Sequence, residues 1–470
     1  MERGMYENIK DYPFSIAETV DDVIRELRND SGSADSEFIM KYGTYESRDA
    51  ADKICRQVFS EENCCMVGKM KKNGRKNILI YAGDLNQNGI TTAFCSMMKY
   101  VDKSRYNYYI SFRMQSVKAE PERTKKIPGE LGVFPIASEM NMDVLTGAAQ
   151  LLYIKSGYKG RLTMNRVHHA YKREWRKHFG NVRFEHVVHY NGYEAYITSL
   201  IEQAPCIKTI WVHNDMEQEI VIKKNQSRYL LEDVYKSYDN VVIVSEDIRC
   251  STIRISGRKD NIHVIENCHD YESVIERSKM PVSFDNNTLS TVSKEELMNI
   301  LNGKSVKFIN IGRYSPEKGH ERLIKAFERY WLDQRESHLI IIGGTGELYS
   351  KTLELARATA ASAHIILIKS LSNPMPVLKK SDLFLLTSYY EGLGLVLLEA
   401  DTLGIPVMAC DVPGPGGFLR QYGGTLLENS EEGILQGMKM FTRGKNFPMN
   451  VDYEQLNRKS IRKFEELLTE

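Results

Sequence analysis

Two glutamates separated by seven residues, Glu391 and Glu399 in EGLGLVLLE, are the side chains of this 470-residue sequence whose type and spacing best suit chemistry. They stand in DLFLLTSYYEGLGLVLLEADTLGIPV, where a buried strand ends, an acidic residue and two glycines form a turn, and an amphipathic helix begins. A carboxylate just past a strand end faces the crevice beyond the sheet's carboxyl edge. Gly392 and Gly394 leave the N–H groups around Leu393 and Leu395 open at a helix start, where orphan donors and the helix dipole favour an anion such as a diphosphate. Glu399, a turn and a half further on, can accept hydrogen bonds from a ribose diol. Two glutamates alone fit a solvated turn equally well, but a carboxylate beside an anion site is unfavourable unless a ligand hydroxyl or a cation uses it.

A second group lies in FINIGRYSPEKGHERLIKAF, which sets Arg313 and Lys318 between a strand end and a helix beginning near His320. A guanidinium and an ammonium there can clamp two phosphates and stabilise charge on a departing nucleoside diphosphate. The turn in HLIIIGGTGE carries Gly344 and Gly346, and AGDLNQNGITTAF carries Asn88 and Gly89 at the start of a helix. WVHNDM places His213 at another strand end, and HYNGY does the same for Asn191 and Tyr193, which we take with Asn88 as acceptor contacts. No D-x-D occurs in the sequence. The carboxylate pair that would hold a metal on a diphosphate is missing, so Arg313, Lys318 and the helix start must neutralise the leaving group and no metal requirement is predicted.

The elements that must position these residues form two series. Strands are predicted at 77–83, 107–112, 184–190, 209–213, 241–245 and 262–266, then, after a polar stretch at about 268–304, at 306–313, 338–344, 365–369, 382–388 and 406–410. Amphipathic segments alternate with them, the pattern of βαβ units around parallel sheets. The expected fold is α/β, two Rossmann-like domains facing across a cleft, with a first domain at 73–266, a second at 267–445 and a terminal helix at 446–470 that can pack back on the first. A chain this long exceeds a single core. Lys and Arg total 63 against 62 for Asp and Glu, a balance that gives no reason to expect nucleic acid as partner. Eight scattered cysteines without CxxC spacing read as reduced thiols. No signal-peptide run or ~18-residue apolar span is apparent, so a cytoplasmic location is expected.

GRYSPEKG resembles the G-R-x-x-x-x-K-G signature of the retaining glycosyltransferase family 4, and Glu391 with Glu399 matches that family's E-x7-E motif. HLIIIGGTGE is similar to the family's Gly-rich turn between the two. The resemblance covers about 77–440 and implies a GT-B fold, retention at the anomeric carbon, and a nucleotide-sugar donor, expected to be UDP-linked, with no other cofactor. It implies catalytic roles for Glu391, His213, Arg313 and Lys318. It also implies donor contacts from Arg313, Lys318, Gly344, Gly346, the Glu391–Leu395 turn, Glu399 and Gly89. A sugar phosphorylase or nucleotide-sugar hydrolase on the same fold, or a non-catalytic partner subunit, are the rival readings.

Residues 1–72 show two helical patterns and no βαβ alternation. RGMYENIKDYPFSIAETVDDVIRELRND with the later SRDAADKICRQVF resembles the carboxyl-terminal tail of CDP-glycerol glycerophosphotransferases of teichoic-acid synthesis, which implies a cell-surface glycan, teichoic-acid-like polymer or lipid-linked acceptor. The stretch 158–180 interleaves seven cations with Tyr171, Trp175 and Phe179. It suits docking on an anionic membrane or polymer, or equally a solvated helix whose aromatics enter the core.

Overall fold

A computed structural model describes residues 19–28 and 70–469, apart from 87, 137–139, 181, 345 and 446–447. Most of the predicted amino-terminal extension, including the SRDAADKICRQVF pattern, lies outside the described residues. Within it Val20–Arg28 is helical, with Asp21 and Asp22 in its first turn.

The first sheet contains β1 (Asn77–Tyr81), β2 (Asn107–Ser111), β3 (Gly132–Val133), β4 (His186–His189), β5 (Ile207–Val212), β6 (Asn240–Ile243) and β7 (Ile262–Val264). The second contains β8 (Val306–Ile311), β9 (Ser337–Ile342), β10 (Ile365–Ile368), β11 (Leu383–Leu386), β12 (Val407–Cys410) and β13 (Thr425–Leu427). Their orders are β3-β2-β1-β4-β5-β6-β7 and β10-β9-β8-β11-β12-β13, and the pairings are parallel. Two Rossmann-like domains result.

The near-continuous apolar strands follow from burial on both faces. In the second sheet Ile309, Ile340, Ile366 and Phe384 enter one core, while their neighbours Phe308, Leu339, Leu367 and Leu385 enter the other. Register is therefore fixed, because a one-residue slip would exchange the two sets. The order reverses direction beside β1 and again beside β8, which opens a crevice past the carboxyl ends of both strands.

The sequence reading missed β3 and β13, which are two and three residues long and too short to show a period. It also treated 268–304 as a polar connector. That stretch holds the helices Tyr271–Ser278 and Lys294–Asn302, the second opened by a Ser293/Glu296 capping box. The last helix, Tyr453–Leu467, returns to the first sheet, with Phe464 edge-on to Trp211 at 5.6 Å and Lys463 Nζ donating to the carbonyl of Val264 at 2.8 Å.

Of the two readings of 158–180, the aromatic part goes to the core. Tyr171, Trp175 and Phe179 on the helix Arg161–Phe179 are buried, Phe179 packing against Trp175 and Phe184.

Candidate active site

A cleft of about 600 Å³ runs between the domains along the carboxyl edges of both sheets. Asn88, Gly89, Asn191, Tyr193 and His213 line its first-domain side, and Arg313, Lys318, Glu391, Leu393, Gly394 and Leu395 its second-domain side. A Cβ added at Gly89 would touch Leu395 Cδ1 at 4.0 Å, so the first domain's Gly-rich loop closes on the second domain's helix start. That helix, Leu395–Thr402, begins after Gly394 in a left-handed conformation, φ +78°, which suits glycine. Its first N–H groups have no intrahelical acceptor.

Lys318 and Glu391 are 73 positions apart in sequence and meet at 2.6 Å, each side chain 16% exposed. Ser388 Oγ donates a second bond to the same carboxylate oxygen at 2.9 Å. The approach depends on Gly319, whose φ is +64° and whose Cβ would lie 2.5 Å from the carbonyl of Thr387; Thr387 Oγ1 donates back to the carbonyl of Lys318 at 3.1 Å. The two motif turns are thereby tied together.

Arg313 binds Glu317 at 3.1 Å. Glu317 is buried and also receives Lys223 Nζ at 3.1 Å. Burial raises its carboxyl, but the Lys223 ammonium together with hydrogen bonds from the backbone and Ser315 holds it below the ordinary value. Lys223 ends the π-helical turn Glu219–Lys223 and reaches back to the fully buried Glu219 at 3.2 Å. The amides of Asn214 and Asn225 satisfy that carboxylate at 2.9 and 3.0 Å. Alternating charges thus cross from second domain to first. The next residue, Lys224, is left-handed at φ +54°, a strain of the kind found at functional turns.

His213 is buried, and its Nε2 lies 2.6 Å from the carbonyl of Tyr190. A carbonyl only accepts, so Nε2 carries the proton. Burial lowers the imidazole to about 4 despite that bond, which leaves the ring neutral with Nδ1 as its sole acceptor. The backbone here is equally constrained, since a Cβ at Gly392 would fall 1.8 Å from the carbonyl oxygen of His213. Gly392 is thus one of the points where the two domains touch.

Four predicted residues, Gly344, Gly346, Gly392 and Glu399, are not among those that line this cleft. Gly346, at φ +147°, makes room for the backbone of Tyr314, which would lie 2.3 Å from an added Cβ, whereas Gly344 faces open space. Glu399 lies on a helix that packs against Tyr271–Ser278, close enough for the charge of Arg277 to act on it. Burial raises its carboxyl to about 7 with Arg277 pulling the other way, although part of the residue reaches the surface. A carboxyl whose folded pKa lies above its unfolded value contributes stability that is complete below the unfolded value and is lost as pH rises through about 7. Glutamine cannot ionise, so Glu399→Gln is expected to raise the melting temperature of the ligand-free protein at about pH 8 and to lose that advantage toward about pH 5. Thermal unfolding at the two pH values checks the sign.

Asn88 is also partly spent locally, since its side-chain oxygen caps the helix Gly89–Tyr100 through the N–H of Thr91 at 2.9 Å. Sequence reasoning overlooked other cleft residues, among them Asp84, Arg113, Glu194 and Asn267. Asp84, Arg113 and Asn267 follow β1, β2 and β7 by two or three positions, so the strand-end rule that found His213 could have found them. Glu194 accepts from Tyr81 Oη at 2.7 Å and pairs with Arg113 at 2.5 Å. Lys223 had no such signal.

Residues 293–455, which supply Arg313, Lys318, Glu391 and the helix start, match the family described as Glycosyl transferases group 1. The matched segment is about a third of the chain and is similar to a group 1 glycosyltransferase domain. An uncharacterized glycosyltransferase of Methanocaldococcus jannaschii is 28% identical over 179 residues, which is 38% of this chain and 41% of that protein. The chain thus spans less than half the length of this curated relative. Among solved structures, Anabaena HepE in complex with UDP and glucose superposes with a TM-score of 0.57 at 13% identity, covering 84% of this chain and 95% of HepE. A TarM variant of S. aureus, in complex with fondaparinux, alpha-GlcNAc-glycerol and UDP, gives 0.56 at 12% identity, covering 84% and 100%. At these identities the likeness extends the group 1 domain's GT-B fold across both sheets. Among the described residues no helix is long and apolar enough to cross a membrane.

Proposed function

We propose that the protein transfers a sugar from a nucleoside-diphosphate donor, UDP-linked by analogy with the UDP bound to HepE, to a hydroxyl of a cell-surface glycan, teichoic-acid-like or lipid-linked acceptor, with retention and without a metal. The observation that carries this reading is the Lys318–Glu391 pair at 2.6 Å, held at a glycine-led helix start inside the interdomain cleft. Lys318, Arg313 and the N–H groups near Leu395 face the donor diphosphate, and Glu391 accepts from the hydroxyls of the sugar. His213, committed through Nε2 to a backbone carbonyl, orients a hydroxyl through Nδ1 and carries no charge to the reaction. Glu399 serves the ribose in this scheme once the donor seats against the helix.

The acceptor oxygen attacks the anomeric carbon on the face from which the diphosphate departs. The new C–O bond forms as the bond to the leaving phosphate oxygen breaks, and that oxygen takes the acceptor's proton. A dedicated protein base is unnecessary, and the contribution of the residues is orientation and charge stabilisation. The α-GlcNAc-glycerol in the TarM complex supports a polyol-bearing acceptor, as does the resemblance of residues 1–72.

A panel of nucleotide sugars tests the donor. A ligand that binds only the folded state stabilises it by RT ln(1 + [L]/Kd), so the true donor is expected to raise the melting temperature by several degrees at about 100 times its Kd. Stabilisation by inorganic phosphate with sugar, and by no nucleotide sugar, would favour a phosphorylase and refute the proposal.

A further inference from the structure

The helix Val144–Ser156 is apolar around most of its circumference, VLTGAAQLLYIKS, a pattern that belongs to helices enclosed by protein or lipid. Thr146, Ala149 and Tyr153 point inward, and Tyr153 Oη donates to Asp233 Oδ2 at 2.8 Å. The opposite face, Val144, Leu145, Ala148, Leu151 and Leu152 at helical spacing, is exposed. Val144 is 87% exposed and Leu145 65%, and Leu162, at the start of the next helix, is 86% exposed. Lone exposed leucines need no explanation, but a contiguous stripe marks an interaction surface.

Its surroundings select the partner. The adjoining helix Arg161–Phe179 presents Arg161, Arg166, Lys172, Arg173, Arg176 and Lys177 outward, while its one carboxylate, Glu174, is buried. Arg166 and Lys177 are paired with Asp143 and Glu174; the rest of this outward face still carries cations and no acid, in a chain whose net charge is only +1. A two-fold dimer through this surface would set the cationic faces against each other, which is unfavourable.

We propose that the Val144–Ser156/Arg161–Phe179 hairpin docks on an anionic lipid bilayer. The first helix, about 20 Å long at 1.5 Å per residue, is too short to span the membrane and lies in the headgroup plane with its leucines in the acyl boundary. Apolar insertion and cationic attraction together supply the two signals that lasting peripheral attachment requires. This surface is separate from the cleft and does not depend on the proposed sugar transfer.

Co-sedimentation of the full chain with vesicles of phosphatidylcholine, with or without phosphatidylglycerol, tests it. Binding is expected with phosphatidylglycerol alone and is expected to weaken at high salt. Leu145→Gln with Leu152→Gln should weaken it by about tenfold or more, and Arg161→Glu with Lys172→Glu should abolish its dependence on phosphatidylglycerol. All four side chains are exposed, so melting temperatures should stay at the wild-type value and exclude misfolding as the cause. Equal sedimentation with both vesicle types, or of wild type and both variants, overturns the proposal. So does a dimer in light scattering that the leucine substitutions dissociate without any vesicle binding, which would make a second copy the occupant.

Discussion

Lys318→Ala is expected to lower kcat for sugar transfer by about 10²–10³-fold, the cost of removing one preorganised group that stabilises developing charge. The ammonium sits 2.6 Å from Glu391, and its removal has two consequences. The departing diphosphate loses a positive partner, and Glu391 keeps only the hydroxyl of Ser388, so an uncompensated carboxylate then faces the donor's own negative charge. Both effects grow as charge accumulates on the leaving group, so kcat and kcat/KM should fall together. Lys318→Arg should rescue little, because a planar guanidinium does not occupy the position of a compact ammonium. Initial rates with the donor found by thermal shift decide the matter. An alanine variant within about threefold of wild type would remove Lys318 from the transition state.

Gly392→Ala should be the more damaging change to the molecule as a whole. The added Cβ would meet the carbonyl oxygen of His213 at 1.8 Å and its carbon at 2.8 Å, while on the other side the carbonyl of Gly392 already crowds Gly414. Those obstacles are backbone atoms, so no side-chain tip can swing aside, and either the domains separate or the Glu391 turn shifts. A displacement near 1 Å in a site that positions reactants costs about 10²-fold in rate, and overpacking adds about 1–3 kcal/mol of destabilisation. Activity and melting temperature should therefore fall together. Gly129→Ala, where an added Cβ meets nothing within 4 Å, is the control and should leave the melting temperature within about 1 °C. An unchanged Gly392→Ala variant would mean that the domains do not meet at this point.

What the sequence determined by itself was local. Runs such as HLIIIGG and DLFLLTS could be read as buried parallel strands because both faces of such strands are apolar. Arg313, Lys318, His213 and Glu391 were legible because a strand–turn–helix places the residues after the strand at the sheet's carboxyl edge, whatever the rest of the chain does. The aromatics of 158–180 were ambiguous for the opposite reason, since helical spacing does not say which face is covered, and packing against Phe184 decided it.

Tertiary structure alone decided the pairings. That Lys318 would neutralise Glu391, that Glu317 would be shared between Arg313 and the first domain's Lys223, and that Glu399 would come under the charge of Arg277 on the Tyr271–Ser278 helix all depend on approaches between residues 73, 94 and 122 positions apart. The exposed leucine stripe of Val144–Ser156 belongs to the same class. Its composition promised burial, and only the placement of its neighbours left one face uncovered. A residue's type and its distance from a strand end are written in a few adjacent letters. The partner that sets its charge, and the surface that covers it, are fixed by how remote elements pack.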